Sequence, residues 1–148
     1  IVNFRRAFED QVDFNEDIGE WDMSKTTSLS WMFYNARSFN QDLSRWNTSK
    51  VSNMEFMFDF ATSFNQDLSR WNTSKVSNMQ LMFNGATSFN GDISTWDTSK
   101  VEDMNGMFYE AIAFNQNISS WNVSNVADHE DMFQVPSLST MILLLNFF

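Results

Sequence analysis

Apolar and polar positions along this chain recur with a period of 25. Trp21, Trp46, Trp71, Trp96 and Trp121 mark the step, as do the Phe-Asn pairs that begin at Phe14, Phe39, Phe64, Phe89 and Phe114. Met-Phe pairs beginning at Met32, Met57, Met82, Met107 and Met132 keep the same spacing. Five copies without insertion or deletion are the signature of a tandem array, in which each copy is one structural unit stacked on its neighbours. Copies two and three are identical over FNQDLSRWNTSKVSNM, at 39–54 and 64–79, as a recent duplication leaves them.

Two periodicities alternate inside a copy. Met54, Met57, Phe58 and Ala61 lie at i, i+3, i+4 and i+7, the spacing of one face of a short helix. The small Ala61, Ala86 and Ala111 fall where that helix presses closest. In the other half, Trp46 and Thr48 alternate about Asn47, which predicts a short strand near 44–48 with one face inward. Leu43 precedes Trp46 by three positions rather than two, so a bend or bulge separates them. The predicted fold is an α/β repeat. It is a leucine-rich-repeat-like solenoid with one short parallel strand and one short helix per 25-residue turn. At about 4.8 Å per stacked strand, five turns make a body roughly 25 Å along its axis.

The array has unequal ends. Residues 1–13 read as a partial N-terminal repeat, with Phe4 and Phe8 in the columns of Leu29 and Phe33. Residues 14–136 form the five-copy solenoid and 137–148 an apolar C-terminal cap or tail. The last copy decays, with Pro136 where Ala is expected and Ser139 where the next Phe is expected, as terminal repeats do. The tail LSTMILLLNFF, from Leu138 to Phe148, is roughly half the length of about 20 residues that a membrane span needs. It reads as a cap over the last turn, a docking segment for a partner, or the start of an anchor; membrane contact is expected only in the last case.

Composition narrows the function. The chain holds 16 Phe and 6 Trp against 2 Tyr, so its core is packed from large aromatics. A net charge of −10 disfavours nucleic acid as a partner. With no cysteine, disulfides and thiolate chemistry are excluded. The first residue is Ile1 rather than Met, so a processed chain or a fragment is expected.

Each candidate constellation has a plain structural reading. Asn15, Asn40, Asn65, Asn90 and Asn115 read as an asparagine ladder that satisfies backbone groups between turns. Asp17, Asp42, Asp67 and Asp92, with Asn117, form a column. It either holds cations or, more commonly for such residues, caps backbone amides and pairs with Lys50, Lys75, Arg45 and Arg70. Sequons at Asn47, Asn72, Asn117 and Asn122 arise readily in an Asn- and Ser-rich repeat. Thr48, Thr73 and Thr98, with Ser49, Ser74 and Ser99, suggest an ice-binding face, against which Lys50, Lys75 and Lys100 stand as charged ridges. His129, beside Glu130 and Asp131, replaces a core-column Met. No catalytic constellation stands apart from the repeat, so neither an enzyme nor a cofactor or metal is expected.

The combined pattern W-[ND]-x-S-x-V-x-x-M-x-x-M-F-x-x-A-x-x-F-N-x-[DN]-[IL]-S runs from about Phe4 to Phe133. It resembles the BspA-like leucine-rich-repeat surface proteins, in their 25-residue branch of unknown function. Gly19 and Glu20 depart from the usual Ser-x, His129 from Met, and 135–148 from the pattern altogether. The resemblance implies a solenoid that is secreted or displayed on a cell surface, for adhesion or ligand binding, with no catalytic residues to carry over. The expected function is non-enzymatic recognition of protein or glycan partners. The expected contacts are the outward residues Arg45, Asn47, Arg70, Asn72, Thr95, Asp97 and Asn122. The alternative is a structural subunit or spacer, docked in a larger complex through its ends and apolar tail.

Overall fold

In the computed structural model, which describes residues 3–133, the chain winds into a solenoid whose turns stack with the 25-residue step. The secondary structure within a turn differs from expectation. Among the described residues there is no helix, and β-structure is confined to single parallel bridges, Ser28↔Asn53, Asn53↔Asn78, Asn78↔Asp103 and Asp103↔Asp128. The α/β solenoid with one helix and one strand per turn is therefore corrected to a solenoid of stacked β-turns.

The segment expected to be a helix shows why. Its amides split into two alternating sets. Met54, Phe56, Phe58 and Phe60 donate N–H to the carbonyls of Asn78, Gln80, Met82 and Asn84 on the next turn, at 2.8–3.0 Å. Met57, Asp59 and Ala61 donate locally, to the carbonyls of Met54, Phe56 and Phe58. Overlapping three-residue closures place Met54, Met57, Phe58 and Ala61 inward, so consecutive turns imitate the i, i+3, i+4, i+7 spacing of a helix. An isolated eight-residue helix is marginal in water, because nucleation fixes several residues for one hydrogen bond. The arc instead gains a hydrogen bond to its neighbour at every second residue.

This path requires left-handed backbone twice per turn. One column holds Arg6, Trp31, Phe56, Leu81, Gly106 and Asp131, the other Asp10, Asn35, Phe60, Gly85 and Glu110, all with φ between 51° and 63°. For a non-glycine residue this conformation costs on the order of 1–2 kcal/mol, and the inter-turn pairing of the arc offsets it. At Gly85 glycine is also required by space: a Cβ there would meet the Phe60 ring at 2.6 Å.

The predicted strand at 44–48 is also a turn. Trp46 N–H closes on the Leu43 carbonyl at 3.1 Å, which accounts for the three-residue spacing between those two inward side chains. On this side of the solenoid, side chains do much of the stitching. Each indole N–H from Trp46 to Trp121 donates to a Leu or Ile carbonyl one turn back: Trp46 to Ile18, Trp71 to Leu43, Trp96 to Leu68 and Trp121 to Ile93, at 2.9–3.0 Å.

The interior is a set of aromatic ladders. The rings of Trp46, Trp71, Trp96 and Trp121 stack at 6.1–6.3 Å and within 5° of parallel. Phe8, Phe33, Phe58, Phe83, Phe108 and Phe133 form a second ladder at 5.4–5.7 Å. Phe14 to Phe114 form a third at 5.7–6.0 Å, joined to the second by contacts of 3.9–4.0 Å inside each turn. Ala36, Ala61 and Ala86 are fully buried beside them. The partial first repeat enters the same scheme: Phe8 N–H donates to the Met32 carbonyl at 2.9 Å. Trp21, 41% exposed, packs on Phe4 and Phe8. Pro136, Ser139 and the apolar tail lie outside the described residues.

Candidate recognition surface

The seven residues expected to make contacts are all exposed, and they recur in register on successive turns. The strand that was to present them is absent, and Asx turns hold their backbone instead. Asn47, Asn72, Asp97 and Asn122 accept the backbone N–H of Ser49, Ser74, Ser99 and Ser124 at 3.0–3.1 Å through their Oδ1 atoms. In Asn72, Asp97 and Asn122 the same Oδ1 also accepts the hydroxyl of Ser74, Ser99 and Ser124, at 2.6–2.7 Å. Arg45 pairs with Glu20 across one turn, and both side chains are largely exposed, so the pair contributes little to stability. Thr95 donates its hydroxyl to the Ser69 carbonyl at 2.7 Å. The resulting face is polar and repeated.

The other columns are engaged in building the frame. Asn15 Oδ1 accepts the backbone N–H of Asn40, and Asn40, Asn65 and Asn90 do the same for Asn65, Asn90 and Asn115, at 2.8–2.9 Å. Gln41, Gln66 and Gln116 add a second amide column, donating back to the carbonyl and Oδ1 of Asn15, Asn40 and Asn90. Asp17, Asp42, Asp67 and Asp92 cap the amides of Gly19, Ser44, Ser69 and Ser94 at 2.8–2.9 Å. At Asp42 and Asp92 the N–H of Ser44 and of Ser94, followed by the serine hydroxyl, holds the carboxyl below the usual range. None of these capping aspartates forms an ion pair with Arg or Lys among the described residues; the two ion pairs there are Arg6–Glu9 and Arg45–Glu20. No group of three or more Asp, Glu or His side chains converges among the described residues. His129 is exposed.

The Thr column is buried. Thr48, Thr73 and Thr98 are 1% exposed, and their hydroxyls donate to the carbonyls of Asn72, Asp97 and Asn122 at 2.9–3.0 Å. They form no outward hydroxyl row, which leaves the half-buried Ser49, Ser74 and Ser99 as the hydroxyls of the expected ice-binding face.

Two features were not anticipated from the sequence. On the outside of the arc, Trp31 stacks on Phe56 at 4.1 Å and lies under the Arg6 guanidinium at 4.8 Å, so its ring faces are covered on both sides. Beneath this arc Asp59 is buried, with its Oδ1 accepting from Asn84 Nδ2 at 2.9 Å. Burial pushes its carboxyl up to about 7, against the opposing effect of that hydrogen bond. Asn84 Oδ1 is the one buried side-chain oxygen or nitrogen without a hydrogen-bond partner among the described residues. The signal for Asp59 was its column, in which Tyr34, Asn84 and Tyr109 are all half-buried. That inwardness follows from the β-turn arc and not from a helix.

A turn-stacked solenoid of this kind belongs to the class of repeat proteins in which each repeat contacts its neighbours along the stack. The chain belongs to the family described as "Mycoplasma protein of unknown function, DUF285", whose model matches residues 1–91 and 68–141. No curated protein and no solved structure matches it.

Proposed function

We propose that this chain is a non-enzymatic recognition solenoid, secreted or held at the cell surface, that binds protein or glycan partners through its repeated outward face. The observation that carries this reading is the division of labour between columns. The ladder columns are engaged in holding turn to turn, whereas Arg45, Asn47, Arg70 and Asn72 recur outward in two turns of identical sequence. Duplicated outward groups in register suit a partner that is itself extended or repetitive, because each added turn multiplies a weak contact. Kinship with the BspA-like surface proteins and an extracellular location belong to the same proposal. Among the described residues no helix is long and apolar enough to cross a membrane.

The test is binding of the purified chain to intact cells and to arrays of surface proteins and glycans. The Arg45→Gln/Asn47→Ala/Arg70→Gln/Asn72→Ala variant serves as control. Saturable binding that falls at least tenfold in the variant supports the reading. Recovery of the native protein only in a fixed-stoichiometry complex, with no such binding, favours the structural-subunit alternative instead.

A further inference from the structure

Four of the nine basic residues, Lys25, Lys50, Lys75 and Lys100, stand in one column of the repeat. All four are exposed, and none forms an ion pair among the described residues. Adjacent members sit one turn apart, and at about 5 Å two unit charges repel by roughly 0.8 kcal/mol even in water. Like charges repeated in register on an acidic protein make a strip whose local field differs from that of the whole. The compensation is uneven along it. Lys25 and Lys100 lie close enough to Asp22 and Asp97 to hold those carboxyls down, in both cases after the larger effect of the hydrogen bonds from Ser24 and Ser99. Lys50 and Lys75 have the neutral Asn47 and Asn72 in that position.

Beside this ridge runs a groove of about 460 Å³ lined by Lys75, Lys100, Ser77, Glu102, Asn125 and Ala127. Along it the backbone amides are occupied: Ser77, Glu102 and Ala127 donate to Ser52, Ser77 and Glu102 at 2.8–2.9 Å. What the groove offers a ligand is therefore side-chain chemistry. Two ammonium groups can neutralise carboxylates, while the Glu102 carboxylate and the Ser77 oxygen can accept hydrogen bonds from hydroxyl groups. The sole apolar lining residue is the small Ala127, so the buried anchors on which peptide partners depend have no pocket here. Single-stranded nucleic acid needs stacking platforms among its cations, and this groove has no aromatic lining.

We infer that the lysine column and its groove bind an acidic polysaccharide, a chain of uronate-bearing sugars laid along the solenoid axis. Its carboxylates would lie on the Lys50–Lys75–Lys100 ridge and its hydroxyls against Ser77 and Glu102. The inference rests on the recognition reading and names the ligand class for a face adjacent to the one proposed above.

The test uses the whole chain and fluorescently labelled oligogalacturonate, titrated at low and at physiological salt. A neutral glucan of equal length, oligothymidylate and polyglutamate are the comparison ligands. The expected result is binding to oligogalacturonate at least tenfold tighter than to all three, weakened by salt, and reduced at least tenfold in Lys50→Gln/Lys75→Gln/Lys100→Gln. Melting temperature reports whether that variant is folded; if it is not, the single Lys75→Gln variant is expected to lose severalfold in affinity. Failure to bind, equal binding of oligothymidylate or polyglutamate, or unchanged affinity in a folded lysine variant overturns the inference. Binding to surface material that is lost with Arg45 and Arg70 but kept without the lysines overturns this site and leaves the recognition reading standing.

Discussion

Ionisation of Asp59 should make the stability of this solenoid fall as pH rises through neutrality. The side chain is 3% exposed, accepts from Asn84, and has its pKa raised to about 7. In the unfolded chain an aspartate titrates near 3.9. The folded state holds the proton more tightly, so the stability Asp59 contributes is fully present below about pH 4 and is lost as pH rises through about 7. Three pH units at about 1.4 kcal/mol each set a ceiling of about 4 kcal/mol. Water penetration and local relaxation bring the expectation to about 2 kcal/mol. Asp59→Asn removes the ionisation and keeps the shape, and its amide can donate to Asn84 Oδ1, the buried oxygen that lacks a partner. A protonated Asp59 is chemically equipped for the same donation. The assay is urea unfolding followed by tryptophan fluorescence, on wild type and variant, at intervals from about pH 5 to pH 9. The capping aspartates act with the opposite sign, losing stability as pH falls, but they are common to both proteins and cancel in the difference. That difference should move by about 1 kcal/mol in favour of Asp59→Asn between pH 5 and pH 8, the rest having gone between about pH 4 and pH 5, and then level off. A constant difference across the range would refute the reasoning.

Three further predictions test the ladders and the arc. Trp71→Phe leaves the Leu43 carbonyl without its indole donor at 2.9 Å and opens a void in the core, so a loss of about 2–4 kcal/mol in urea unfolding is expected; a loss below about 1 kcal/mol would count against the Trp ladder as a stabilising element. Asn65→Ala removes the acceptor of the Asn90 N–H, and about 1 kcal/mol of stability should go with it. Faster hydrogen exchange at Asn90, with little change at Asn40, is the local readout; uniform change along the chain would contradict it. Gly85→Ala drives a methyl group into the Phe60 ring and should destabilise by about 1–3 kcal/mol. Phe60→Ala introduced alongside should recover the part of that loss due to the clash and leave the cost of an alanine in left-handed backbone; simple additivity in the double-mutant cycle would show that the contact contributes nothing.

Much of the architecture was legible in the residues. A step of 25 held through five copies permits only a stacked array, and the inward set of Trp, Phe, Met and Ala is the set found buried, apart from the exposed Trp21 and the half-buried Phe4, Phe8, Phe14 and Phe133 at the two ends. The roles of the asparagine and aspartate columns could be read because short polar side chains repeated beside buried aromatics must satisfy backbone groups. The exposure of the Arg45 and Asn47 columns also followed from alternation about the buried Trp46 and Thr48. Asp59 and the lysine groove were not legible, since each depends on which residues of neighbouring turns share a wall.

The local conformation within a turn was decided only by the tertiary structure. Met54, Met57, Phe58 and Ala61 satisfy a helix and a run of β-turns equally well, because both place every third or fourth side chain on one side. What separates the two is the destination of the backbone amides. A helix would have used them within the segment, whereas here Met54, Phe56, Phe58 and Phe60 reach the next turn. That choice depends on a neighbour 24 residues away in sequence. It is strong enough to hold Phe56 and Phe60 in left-handed backbone that neither residue favours by itself. The period is a property of the chain; the hydrogen-bond partners belong to the stack.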